Sequence, residues 1–512
     1  MTKIKRLRLN EKIILKGRWS SSFEKMFDEN GKFSEKVVSG DLELTEDHIS
    51  LKLNGKIDNS TKNSDKEFNR IYGYSSNGLF IILENCFVEN SSFSVPGYEM
   101  ESYSANKGYI IELNSNKNMI KNEILATKVK FGINYLNDWL NLELPSASFD
   151  ETNGYTITYH NDFFQNNRYD ILDGKYYISL RRNIKVNNNI NKGSSIKFDP
   201  YVSISTKDYS AISVCEFIEL SSWLLKLHDF LSQTYGKYEY FEFYFEDEIN
   251  NFSIEKLENG NMKFNLPFYK GRYIFLQMPT AETNLDINAL RLKDIKDEYG
   301  KIAQNWFKNQ ENLKYIINLY YQNAIPTMDI ESIVVNKIKM LEAYYDNYMG
   351  NESENITDFD IKVENTKTII KNCLEDFDIE IPVKEEIIIR LDKDGSRNIS
   401  LREKLTVILD KIPNELKENI LNLNPDWRNS DETISIFSER LKDTRNFYTH
   451  GANVNRHKKR LKTITEFIIA DIILDIIIYY YVLNTLGIGK EKIIEYPFIR
   501  KKLKEIEFNL GK

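Results

Sequence analysis

The chain has 512 residues, of which 41% are hydrophobic and 28% charged, and its formal net charge is −7. This composition excludes a disordered polymer and gives room for roughly two to four domains with cores of their own. The negative balance argues against bulk coating of nucleic acid, but leaves open a local basic site, because phosphate contacts are local.

The basic start, MTKIKRLRLNEK, is followed by no apolar run, so no signal peptide is expected. In DLELTEDHISLKLNGKI (41–57) apolar and polar residues alternate, the period of a strand with one buried face. Asn54-Gly55 is a pair that favours a tight hairpin turn. GLFIILENCFVEN (78–90) is a continuous apolar run suited to a buried strand. Further alternation predicts strands in 175–186, 194–205, 238–248 and 272–278, and LPSASFDETNG (144–154) and NNNINKGSS (187–195) read as exposed loops. One helix interrupts this half. In EFIELSSWLLKLHDFLSQ, Phe217, Leu220, Leu224, Leu227 and Leu231 recur at spacings of three and four. The three cysteines (Cys86, Cys215 and Cys373) are far apart and form no C-x-x-C pair, which fits a reducing compartment.

After about residue 282 the pattern turns helical, through DIESIVVNKIKMLEAYYDNYMG, LREKLTVILDKI and RLKTITEFIIADIILDIIIYYYVLNTLG, with a polar loop at 350–360. Strands followed by helices suggest an α+β multidomain chain. The expected division is a β-rich domain over 1–281, with two lobes meeting near 145–155 as one option, and an all-α helical bundle over 282–512. The longest apolar run, Ile476 to Leu483, is too short to span a membrane and reads as a buried core helix ending near Gly487.

The segment SDETISIFSERLKDTRNFYTHG (430–451) carries the chemistry. Read as a helix, Ser430 or Asp431 caps its start, and Ile434, Phe437, Leu441 and Tyr448 form its inward stripe. Arg445 lies at the edge of that stripe. Asn446 and His450 share a second face, four residues apart. Gly451 is placed to follow the C-cap. Residues 440–462 hold eight Lys or Arg against one acid, Asp443. A histidine can move protons near neutrality, and an arginine can grip a phosphate and offset developing charge. RNA adds an internal nucleophile, its 2′-OH. Arg, His and a basic shelf of Arg456, His457, Lys458, Lys459 and Arg460 therefore suffice, in principle, to cleave RNA without a metal. The plain alternative is a basic helix end that suits the dipole and a solvated charged face. Asp471 and Asp475 read as buried acids paired to a Lys, Arg or hydroxyl rather than as metal ligands. Glu342 reads as a surface position, with support of the motif as the alternative. YEYFEFYF (238–245) reads as a half-buried strand.

Arg445-Asn446-Phe447-Tyr448-Thr449-His450 resembles the R-x4–6-H motif of the HEPN nuclease family, including a polar residue after the arginine. The order of a MLEAYYDNY helix, the motif helix and a long apolar helix is similar to that family too. With GDLELTEDHISLKLNGKI and FNRIYGYSSNGLFIILENCFVEN in the first half, nearly the whole chain resembles the ApeA type of bacterial anti-phage protein. The resemblance implies a metal-independent endoribonuclease of abortive infection, cytoplasmic, with no cofactor and no membrane partner. Arg445 and His450 would be catalytic and Asn446 orienting or supporting. RNA would be the substrate, with tRNA or another structured RNA as candidates. In the resembled family the site commonly forms from two protomers, so a homodimer through the HEPN domain is implied, which suits a helix that converges these side chains poorly on a single phosphate. The N-terminal domain would sense a phage-derived trigger or restrain the nuclease. The alternative is a non-catalytic HEPN-like module that binds RNA or a partner, with a ligand-sensing β domain.

Overall fold

The computed structural model describes residues 8–9, 11–27, 32–57, 67–94, 98–112, 123–140, 146–150, 154–158, 168–189, 193–246, 253–256, 262–265, 268–277, 285–286, 289–350, 358–377, 379–393, 399–421, 433–451 and 457–509. Two compact units divide the chain, Met1–Lys308 and Asn309–Lys512.

The first unit begins with β1 (Ile13–Ser20), β2 (Val38–Leu44), β3 (Ile49–Leu53), β4 (Glu67–Ser75), β5 (Leu79–Ser94) and β6 (Tyr98–Glu112). They pair in the order β6-β3-β2-β1-β4-β5, and β5 pairs back onto β6, so the six close into an antiparallel barrel. Closure removes the exposed edges that an open sheet would leave. The interior follows from period two: Leu15, Trp19, Leu42, Leu51, Ile71, Ile81, Leu83, Tyr103 and Ile110 form one buried cluster. Trp19 donates its indole N–H to the Gly40 carbonyl at 3.1 Å. The Trp19 ring also lies where a Cβ on Gly73 would come within 2.2 Å, so Gly73 is needed for close approach. The apolar run of 78–90 is buried on both faces near its start, because Ile81 and Leu83 fill the barrel while Phe80 is covered outside by Phe23.

The remaining strands are β7 (Leu125–Ala126), β8 (Lys128–Ile133), β9 (Ser146–Asp150), β10 (Gly154–Thr158), β11 (Arg168–Ile171), β12 (Tyr176–Asn189), β13 (Gly193–Thr206), β14 (Ile212–Ser213), β15 (Tyr238–Glu246), β16 (Ser253–Lys256), β17 (Met262–Asn265) and β18 (Phe268–Phe275). From the second half of β6 the sheet continues through β18, β15, β8, β13 and β12 to β11. β8 precedes residues 145–155 and pairs with β13 and β15, which follow them, so a division into lobes there is not what forms.

Helices of this unit are α1 (Leu136–Leu140), α2 (Val214–Ser232), α3 (Leu292–Ile295) and α4 (Tyr299–Lys308). The last two fall in the stretch assigned by pattern to the helical domain. They belong to the first unit because Trp223 of α2 and Trp306 of α4 stack at 4.7 Å and exchange indole N–H to carbonyl bonds of 3.3 and 2.9 Å. An aromatic pair of this kind adds about 1 kcal/mol beyond its buried area. The boundary therefore lies at 308/309 rather than 281/282.

His228 of α2 is fully buried, bonded through Nε2 to the Tyr299 hydroxyl at 2.7 Å and packed on Trp139 at 4.7 Å. Burial pushes its pKa down from 6.5 to about 3, so it is neutral when folded. Below pH 6.5 the unfolded chain takes a proton that the folded chain refuses, so stability present above that pH is lost as pH falls toward 3. Urea midpoints measured between pH 7 and pH 4 should show this acid loss, and His228→Phe should flatten it.

Three local readings change. Asn54-Gly55 does not close a hairpin, because β3 pairs with β2 and β6 whereas β4 pairs with β1 and β5. Ser146–Asp150 and Gly154–Thr158 are paired strands rather than a loop. Asn187 to Asn189 pair with Ser195 to Gly193, so the β12–β13 hairpin reaches further than its polar sequence suggests.

In the second unit the helices are α5 (Gln310–Gln322), α6 (Ile330–Tyr348), α7 (Asp358–Asp376), α8 (Ile381–Lys393), α9 (Leu401–Lys411), α10 (Asn414–Leu421), α11 (Thr433–His450), α12 (Ile464–Thr485), α13 (Lys490–Glu495) and α14 (Pro497–Asn509). α6 is the hub, packed by α5, α9, α11 and α12. Asp329 caps α6, and capping boxes start α9 (Ser400 with Glu403) and α12 (Thr463 with Glu466). α12 buries Ile476 to Leu483, and Gly487 follows its C-cap with φ +89°. Among the described residues no helix is long and apolar enough to cross a membrane.

Candidate active site

The motif lies on the last two turns of α11, against α6. Phe437 and Leu441 anchor the helix in the core, and Thr444 extends that stripe. Tyr448, expected inward, is 44% exposed, because the helix end emerges from the bundle beyond Thr444; its ring edge leans on Phe467. The expected caps Ser430 and Asp431 lie outside the described residues. Gly451 ends the helix with φ +57°, and its N–H bonds the Phe447 carbonyl at 3.1 Å.

Arg445, Asn446 and His450 come together within one chain. One Arg445 terminal nitrogen, Nη1, donates to Asn446 Oδ1 at 3.1 Å and lies 3.4 Å from His450 Nε2. The other, Nη2, meets Glu342 Oε2 of α6 at 3.2 Å. The helix therefore converges these groups better than their spacing suggested, because the long Arg445 side chain runs along the helix toward His450. A guanidinium can only donate, so Nε2 acts as acceptor in this contact only in the tautomer that carries its proton on Nδ1. Glu342, read from sequence as a surface position, is the residue that orients Arg445. The signal available was the acid in MLEAYYDNY, but which helix face it shares with Arg445 is a tertiary fact.

The basic run splits. Residues 457–461 fold back along α11: Lys459 N–H donates to Asp443 Oδ2 at 3.3 Å and Leu461 N–H to Thr444 Oγ1 at 2.9 Å. His457 Nδ1 lies 3.5 Å from Asp443 Oδ1. Lys459 Nζ pairs with Glu439 at 2.7 Å, and Arg460 lies over the Phe447 ring at 4.4 Å. Lys458 is exposed. Arg456 lies outside the described residues. Asp443, the one acid of the basic window, is the buried tether that sequence reading did not single out.

Asp471 and Asp475 are held by Lys337, at 2.6 and 2.5 Å, with Lys502 at 3.3 Å from Asp475. This is the paired-acid arrangement. Among the described residues no three His, Cys, Asp or Glu side chains are grouped so as to hold a metal ion.

An antiparallel β barrel continued into an open sheet, then a helical unit carrying an Arg–His motif at a helix end, defines a HEPN-type protein with a β-rich N-terminal part. Comparison with known families agrees over most of the chain. Residues 15–306 match the family model described as ApeA N-terminal domain 1, and residues 335–492 match the one described as Apea-like HEPN. The chain belongs to the ApeA family. No curated protein and no solved structure gives a match.

Proposed function

We propose that the protein is a metal-independent endoribonuclease of anti-phage defence, with Arg445 and His450 as catalytic residues. The observation that carries this reading is the contact of a half-buried arginine with an exposed histidine, Arg445 being oriented by Glu342. ApeA family membership supports the anti-phage setting.

In the reaction the 2′-oxygen attacks the adjacent phosphorus. An O2′–P bond forms, the P–O5′ bond breaks, and the products are a 2′,3′-cyclic phosphate and a 5′-OH. Nε2 of His450, in the tautomer that leaves it as an acceptor, is suited to take the 2′ proton. The Arg445 guanidinium turns from His450 to the phosphate oxygens and offsets the charge that builds there. Asn446 supports Arg445 through its side-chain carbonyl. The departing O5′ needs a proton, which a single imidazole does not deliver in the same step. A second copy of the motif, facing the first across a homodimer of HEPN units, supplies it. Ile436, Tyr448 and Ile464, on α11 and at the start of α12, are exposed apolar side chains near the motif helix that a partner copy would cover. RNA, tRNA or another structured RNA, would run past the motif and Lys458, with Lys459 and Arg460 adding positive field and Arg456 and His457 as further proposed contacts. The N-terminal unit would sense a phage-derived trigger or restrain cleavage, in the cytoplasm.

The test is an RNA carrying a single 2′-deoxy substitution at a mapped cleavage position. Cutting there should stop while cutting elsewhere persists. Continued cutting at the substituted position would remove the 2′-OH mechanism. Binding of RNA with no cutting of any kind in infected-cell extracts would favour the non-catalytic binder.

Glu342 acts as a positioning residue. Glu342→Ala should lower cleavage by about threefold to thirtyfold, the scale of a lost partly exposed charge-assisted bond. Glu342→Gln, which keeps an acceptor toward Arg445, should recover most of it. Equal loss in both variants would point to a need for the negative charge rather than for orientation.

A further inference from the structure

The open sheet of the first unit has two unlike faces. One carries Ile178, Leu180, Val202, Ile204, Val129 and Phe131, all buried. The other carries polar residues in register. Tyr177 of β12 pairs with Ser205 of β13, and Ser205 pairs with Lys128 of β8. Directly paired residues point to the same side, as do residues two apart along a strand. Arg168, which pairs with Ser179, and Arg181 therefore share the face of Tyr177.

On this face lies a cavity of about 240 Å³, whose lining includes Lys128, Arg168, Arg181, Tyr177, Ser205 and Tyr209. Among the described residues its lining holds three cations and no carboxylate, while Asp170, paired with Tyr177 on the same face, is met by Lys207 at 3.7 Å. Three like charges around one space repel each other unless an anion sits among them. Arg168 is stacked on the Tyr177 ring, 3.5 Å from its centroid. That stacking occupies the flat face of the guanidinium and leaves its N–H edge to donate in plane. Ser205 is 1% exposed, and its hydroxyl has no hydrogen-bond partner among the described residues. A buried hydroxyl of this kind is costly unless a ligand satisfies it. Tyr209, on the loop at the rim, holds a left-handed φ of +59°, which a bulky residue rarely adopts and which clusters at ligand sites.

We propose that this cavity is a binding site for a small phosphate-bearing ligand of about mononucleotide size. A phosphate monoester carries close to two negative charges and several acceptor oxygens, which match a guanidinium edge, two further cations and a hydroxyl. A single carboxylate would leave two of the cations uncompensated. The volume lies a little below the usual range of about 300–1,000 Å³ for ligand pockets, which fits a compact ligand and not a polymer. This site rests on the first unit alone and stands whether or not Arg445 and His450 cut RNA.

The test is calorimetric titration of the full chain with inorganic phosphate, AMP, ATP and adenosine. The variants are the triple substitution Lys128→Gln, Arg168→Gln, Arg181→Gln and the single Arg181→Gln, whose side chain is exposed and whose loss should leave the fold intact. Wild type should bind at least one phosphate-bearing probe with a Kd below about 1 mM, adenosine should not bind, and the triple variant should bind about thirtyfold more weakly or worse. If the triple variant fails to fold, Arg181→Gln should still weaken binding by about threefold or more. No binding of any phosphate probe at about 10 mM, equal binding by wild type and variant, or equal binding of adenosine and AMP would each overturn the proposal. A 5′-phosphorylated oligonucleotide that binds here more tightly than ATP would assign the cavity to a nucleic-acid end and overturn the small-ligand reading.

Discussion

Replacing His450 by alanine is expected to lower RNA cleavage by about 10²- to 10⁴-fold, the range over which a positioned acid–base group contributes. RNA affinity should stay within about twofold, because His450 is one exposed side chain among several cations near the motif. Binding and cutting thus separate, and a gel-shift beside a single-turnover assay checks both. Arg445→Ala should cost a similar factor, since it removes the group that meets charge on the phosphate. Arg445→Lys should not rescue it. A lysine offers a point charge and cannot hold Glu342, Asn446 and a phosphate with one planar fork. The double variant should be no worse than the poorer single one, because groups that act as a unit are not additive.

The largest stability effect is expected at Lys337. Its ammonium meets Asp471 and Asp475 together, joining α6 to α12. Burial raises the pKa of Asp471, whereas Lys337 and Lys502 overcome burial at Asp475 and hold its carboxyl below the ordinary value. For Asp475 that stability is present above the unfolded pKa of 3.8 and is lost as pH falls below it. Lys337→Met would leave two carboxylates with Lys502 as their nearby cation, and should cost about 3 kcal/mol at neutral pH. One carboxylate should then take up a proton, so the loss should shrink as pH drops toward about 5. Adding Asp471→Asn to Lys337→Met should restore part of the stability. Urea melts followed by helical circular dichroism check both statements. A Lys337→Met chain as stable as wild type at neutral pH would mean that the pair contributes orientation and little energy.

Legibility differed by level. The strand-to-helix order was plain from periods of two and three to four, and the structure has a β-rich part followed by a helical one. The closing of β1 to β6 was not legible, because closure depends on β5 and β6 pairing over registers that no local pattern encodes. The end of the first unit was misplaced because the helices after 282 look like any amphipathic helix, and tertiary contacts such as Trp223–Trp306 and His228–Tyr299 assign the last of them. YEYFEFYF read as half-buried, yet β15 lies between β8 and β18 and its Glu242 is buried against Lys270 at 2.9 Å. Glutamate on alternate positions signals water only when no lysine waits on the next strand. At the site, Arg445, Asn446 and His450 could be named from six residues. Glu342 could be named but not placed, and the inward tethering of His457 and Lys459 through Asp443 was hidden behind what looks like a free basic run.

The central claim is that the Arg445–His450 constellation cuts RNA through the 2′-OH without a metal. The most direct measurement is cleavage of RNA in EDTA by purified wild type beside His450→Ala, with the new ends identified chemically. Loss of cutting in His450→Ala, with 2′,3′-cyclic phosphate and 5′-OH ends from wild type, is the predicted result. Equal cutting by both proteins, or 3′-OH ends from wild type, would contradict it.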